Sequence, residues 1–235
     1  MISLIVRRGL SEALLKILPN PIRAPELGSC GSYVSFFQAV QIDQQVSLQP
    51  SQADVGKCLA LRVAVEEFGS LDTAMRFVRD AYTSGLQETR AALAALQIVV
   101  QRMAAMPGQR SVVLVSPGLF VPPDLQNESS DLIALAIRSK VLIGSVDARG
   151  VWTIPVFDAC QNPPAGAIQD EITFKQIDAE AATDELIALA DGTGGTVNLN
   201  NDFDGGVRNA AAAPEYLYVL GFVPQNLKAD GTSIL

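Results

Sequence analysis

Two short runs constrain the fold of this chain more than any other feature. Residues 111–116 (SVVLVS) and 141–146 (VLIGSV) are apolar at nearly every position, not at every second one. A strand with one wet face alternates apolar and polar residues, whereas a strand covered on both faces does not. Both runs are therefore expected to be parallel strands with helices on either side. The intervening residues 130–140 read as helix. Ahead of the first run, residues 71–106 form the longest helical region. Met75, Val78 and Tyr82 make one stripe, and Leu93, Leu96, Val100 and Met103 make another at spacings of three and four. Thr83-Ser84-Gly85 is expected to break or bend that region, and Pro107-Gly108 to end it.

Beyond the second strand, residues 182–190 read as helix, with Gly192 to Gly195 as its cap. Residues 196–199 read as a short strand, 207–213 as a short helix stopped by Pro214, and 216–223 (YLYVLGFV) as a last strand. Helix and strand thus alternate from residue 86 to residue 223, the pattern of a mostly parallel, doubly wound α/β sheet with right-handed crossovers. The first part of the chain is less regular. Residues 11–18 read as a short helix capped by Ser11 and stopped by Pro19 and Pro21. Residues 19–32 are loop-like, 33–42 fit helix or strand, and 54–68 read as one helix ended by Gly69.

Composition narrows the functions open to such a fold. With 49% apolar and 18% charged residues, 235 residues can bury a sizeable core. The net charge of −8 disfavours nucleic acid and anionic membrane surfaces as partners. No apolar run approaches the roughly 20 residues of a membrane helix, so no membrane insertion is expected. Met1 to Val6 is apolar but precedes Arg7 and Arg8, the reverse of a signal peptide, so no signal peptide is expected in this chain. There is no histidine, which excludes Ser-His-Asp and Cys-His catalysis within the chain. Three scattered cysteines do not make a zinc site. Cys30 and Cys58 either pair as a disulfide or, with Cys160, serve as small buried apolar residues.

Several segments carry a resemblance. The helix before residue 107 followed by PGQRSVVLVSPGL, then SKVLIGSVDARGV, DELIALADGTGGTVNLNNDF and EYLYVLGFVPQN, resembles in order the fourth to last strands of von Willebrand factor A-related domains of acidobacterial type. LLKILPNPIRAPELGSC resembles an upstream insertion in some of them. The resemblance implies a Rossmann-like fold, incomplete at its N-terminal side. Residues 1–85 would be the N-terminal remnant with a helical and loop insertion, and 86–235 the C-terminal α/β half of the same domain. It also implies a parent family that is often exported.

Domains of that family often hold a divalent cation, magnesium or calcium, at the strand C-termini. The ligands are an Asp-x-Ser-x-Ser loop, a Thr from a second loop and an Asp after the fourth strand. A hard cation wants such oxygen ligands. Here no Asp-x-Ser-x-Ser occurs, and Ser116-Pro117-Gly118 has proline where many members have Asp. No metal ligand carries over, so no cofactor is expected. The rim of strand C-termini is then expected at Ser116, Pro117, Gly118, Asp147, Arg149 and Trp152. Asp147 and Arg149 also fit an ordinary turn. The apolar loop of Trp152, Ile154, Val156 and Phe157 fits a partner surface or a lid. Gly192 to Gly195 fits a helix cap better than a phosphate loop. The oxygen-rich Asn198, Asn200, Asn201, Asp202 and Asp204 fit helix N-capping by Asp202 better than a calcium site.

The reading is a non-enzymatic protein- or ligand-binding domain with a degenerate metal site. Its protein partner is not named by the sequence. Loss of the first strand would bare a sheet edge open to self-association. The alternatives are a fragment without independent function, or an α/β hydrolase-like or nucleotide-binding enzyme.

Overall fold

In the first helix, α1 (Phe36–Gln45), the residues left open between helix and strand resolve in favour of helix. Ser35 caps it, its Oγ accepting from the Gln38 N–H at 3.0 Å. Gln38 is buried, and its Nε2 donates to the Ala60 carbonyl at 2.9 Å. This computed structural model describes residues 34–46, 50–108, 110–149 and 167–211. The expected helix at 11–18, the loop at 19–32 and the last strand at 216–223 lie outside the described residues.

The expected single helix over 54–68 is two helices, α2 (Gln52–Val55) and α3 (Leu59–Phe68). Ser51 and Asp54 form a capping box that starts the first, Asp54 Oδ2 accepting from the Ser51 N–H and hydroxyl, each at 2.8 Å, and Gly56 is its C-cap. Cys58 then takes an extended conformation and starts the second helix. By contrast, α4 (Leu71–Ala104) runs unbroken through Thr83-Ser84-Gly85, where a break or bend is expected. The Thr83 hydroxyl donates to the Arg79 carbonyl one turn back at 2.9 Å. Gly85 is there for closeness: a Cβ would collide with the ring of Phe36.

Among the described residues the sheet has three parallel strands in the order β1 (Arg110–Ser116), β2 (Val141–Asp147) and β3 (Val197–Asn198). β2 is buried along its whole length, as expected. β1 is not: it is half-buried throughout, and Val115 is 43% exposed. Among the described residues β1 has a strand neighbour on one side only. The Ser116 carbonyl accepts from the Ala148 N–H at 2.8 Å. In a parallel ladder the backbone groups of alternate residues then turn away from β2, namely those of Ser111, Val113 and Val115.

The remaining helices start earlier than their apolar spacing suggests. A turn of 3-10 helix (Pro123–Leu125) leads into α5 (Gln126–Arg138). α6 (Ala167–Thr193) is far longer than the expected 182–190. α7 (Phe203–Ala211) replaces the expected 207–213, because Asp202 Oδ1 accepts from the Gly205 N–H at 2.8 Å and so caps the helix there. One face of the sheet meets α7, where Gly144 lies against Ala210. The other sends Ile143 into a core with Leu93, Val100, Leu132 and Leu189. A second core joins Phe37, Ile42, Leu61, Val78 and Phe174. α4 and α6 contribute to both. No helix among the described residues is long and apolar enough to cross a membrane.

Candidate binding rim

The register of β1 and β2 sets Ser116 beside Asp147, so both strands end at one rim. Ser116-Pro117-Gly118 forms a tight loop there. The Ser116 Oγ donates to the Gly118 carbonyl at 2.7 Å and accepts from its N–H at 3.3 Å. Gly118 has φ +132°, and a Cβ on it would lie 2.8 Å from that of Ala182, so only glycine fits. The Leu119 N–H donates to the Ala182 carbonyl at 2.8 Å, which ties the loop to α6.

Asp147 is 4% exposed and is closed by Arg149, whose side chain is 20% exposed. The Arg149 backbone N–H and Nε donate to Oδ1 at 2.8 and 3.1 Å, and Nη2 donates to Oδ2 at 2.7 Å. The turn and the ion pair are thus one structure. The carboxyl of Asp178 in α6 lies within electrostatic reach of the same guanidinium. Burial pushes its carboxyl up, while a hydrogen bond from Ser35 and the charge of Arg149 pull it down. Ser35 therefore serves both the start of α1 and the rim.

Deeper in the layer, the Ser129 hydroxyl donates to Oε1 of buried Glu185, and burial raises the Glu185 carboxyl. The Ser145 hydroxyl is fully buried without a hydrogen-bond partner. Asp178 and Glu185 are absent from the sequence reading. Their signal was a polar residue on an apolar stripe: Phe174, Asp178, Ala181, Glu185 and Leu189 recur at spacings of three and four. It stays hidden while the helix is taken to begin at residue 182.

The structure brings Ser116, Pro117, Gly118, Asp147 and Arg149 together. Trp152 and its loop lie outside the described residues. Cys58 is a free thiol buried in the helical core, and burial pushes it up, whereas Cys30 and Cys160 lie outside the described residues. The Gly194 and Gly195 N–H groups donate to the carbonyls of Asp191 and Ala190, so that turn caps α6. Among the described residues no group of three or more Cys, Asp or Glu could hold a metal.

No family model, curated protein or solved structure matches the chain. The chemistry of the rim follows from its own geometry. Ser116 is turned onto its own loop, and Asp147 is closed by the Arg149 guanidinium. Neither is disposed as a nucleophile with its base. The rim offers a rigid, hydrogen-bonded surface with the partly exposed Arg149 at its centre.

Proposed function

We propose that the chain is a non-enzymatic binding domain of von Willebrand A type, incomplete at its N-terminal side, with a degenerate metal site. Its rim at Ser116, Pro117, Gly118, Asp147 and Arg149 engages a protein or ligand. The observation that carries this reading is the closure of Asp147 by three N–H groups of Arg149. A cation entering there must displace a guanidinium already matched to the carboxylate. The parallel strands with helices on both faces support the doubly wound part of the reading.

Calorimetric titration of the full chain with magnesium, calcium and manganese, with thermal melts alongside, tests the metal half. The expected result is no heat and no rise in Tm, since a cation bound only to the native state would raise it. Stoichiometric micromolar binding overturns the reading. For the binding half, peptides selected from a displayed library on the immobilised chain are titrated against Arg149→Ala. Binding weakened about tenfold, the loss of roughly 1.4 kcal/mol, supports the rim. Binders indifferent to Arg149 move the interface elsewhere.

The edge of β1 that has no strand neighbour among the described residues favours a second, compatible reading, self-association between copies. Residues 111–116 carry neither charge nor proline, the devices that protect sheet edges. Sedimentation velocity is expected to show a concentration-dependent dimer that Val115→Lys abolishes. A chain that stays monomeric at all concentrations ends that reading.

A further inference from the structure

Between β3 and α7 the surface opens into a cleft of about 550 Å³. It shares the sheet face of Leu142 and Gly144, opposite in the strand alternation to Asp147, and so is separate from the rim. Small-molecule sites span about 300–1,000 Å³, so its size suits a small ligand.

The wall is prebuilt by residues bonded to one another. Asn198 uses both ends of its amide: Nδ2 donates to the Asp202 carbonyl and Oδ1 accepts from the Asn200 N–H, each at 2.9 Å. Asp202 Oδ1 accepts from Gly205 at 2.8 Å. Ser111, Thr196, Asn200, Asp202 and Asn209 are the other polar side chains of the lining, beside Leu142 and Val197.

This lining selects by charge and by polarity. Among the described residues no lysine or arginine lines the cleft, so phosphates and carboxylates find no counter-charge there. One carboxylate, half-committed to a helix cap, is too little for a hard cation that takes six or more oxygens. Hydroxyl and amide groups both donate and accept, and that matches a ligand with adjacent hydroxyls over a CH-lined face. We propose that the cleft between β3 and α7 binds a small, uncharged polyhydroxylated ligand of monosaccharide size.

The test is amide NMR on the isotope-labelled full chain, titrated with D-glucose and with myo-inositol. Sodium phosphate and calcium chloride are titrated in parallel. The expected result is saturable shifts within 194–200 and 206–210 for a neutral polyol, with a Kd on the order of 1 mM. Asn209→Ala and Thr196→Val sit on the exposed wall. Each is expected to weaken binding about tenfold at unchanged Tm, the scale of one lost hydrogen bond. No saturable shift with either polyol overturns the proposal. So does phosphate or calcium binding at the same amides in their place, or polyol binding that both variants leave intact.

Discussion

Arg149 decides what Asp147 can do. The carboxylate is almost wholly buried, and its main compensation is a guanidinium two residues away. Removing that partner strands a buried charge, which costs more than forming the pair ever gained. Arg149→Ala is therefore expected to lose about 2–3 kcal/mol in urea unfolding, while Arg149→Ala combined with Asp147→Asn recovers part of that loss. Equal losses in the single and double variants would show that the pair is not what holds the rim. Glu185 behaves in the opposite sense. Its folded carboxyl titrates above its ordinary 4.5 because burial disfavours the charged form. Between the unfolded and folded pKa the native chain binds the extra proton, so its contribution to stability is lost as pH rises through that window. Glu185→Gln is expected to flatten the fall in urea midpoint as pH rises from the ordinary 4.5 through the raised folded value, and to be no less stable than the parent above that window. A variant with the parent's pH slope would exclude Glu185 as the source.

At the scale of elements, the helices disagree with their local signals wherever a tertiary contact outweighs propensity. Gly85 reads as a breaker, since glycine costs about 1 kcal/mol in a helix interior relative to alanine. α4 nevertheless passes through it, because the missing side chain makes room for Phe36, which also packs edge-on against Phe120 at 5.5 Å. Gly85→Ala should thus destabilise by about 1–3 kcal/mol in spite of its better helix propensity. In the background of Phe36→Gly, which also removes the Cβ that would lie 2.8 Å away, the same change should stabilise, the sign reversal being read from a double-mutant cycle of urea midpoints. Stabilisation in both backgrounds would make Gly85 an ordinary helix glycine. α6 fails from the other direction. Its first half carries Thr173, Asp178 and Glu180 among its apolar residues, so the periodicity is diluted until the chain is folded around Asp178 and Glu185.

At the scale of the whole molecule, the described residues form two cores that share elements. α4 supplies Val78 to one and Leu93 to the other, and α6 supplies Phe174 and Leu189 in the same way. A helix cannot easily unfold in one half and stay packed in the other, because propagation adds a bond per residue on a costly nucleus. Thermal unfolding is therefore expected as one transition, with calorimetric and van't Hoff enthalpies equal. Two resolved transitions would make the cores separate units. A melt without cooperativity would favour the fragment reading over the binding domain.

By itself the sequence determined the buried strand β2, the parallel α/β order of the described segments, and the strand ends at Ser116 and Asp147. Continuous β-branched runs, glycine caps and the Asp147–Arg149 turn are local signals, readable without knowing their neighbours. Only the tertiary structure decided that β1 is half-exposed and that Gly85 is a packing site. It also decided that Asp178 lies within reach of Arg149 and Ser35, and that a polar cleft opens beside β3. Each of these depends on residues far apart in the chain, and a contact across such a distance leaves no periodic trace in the segment that makes it.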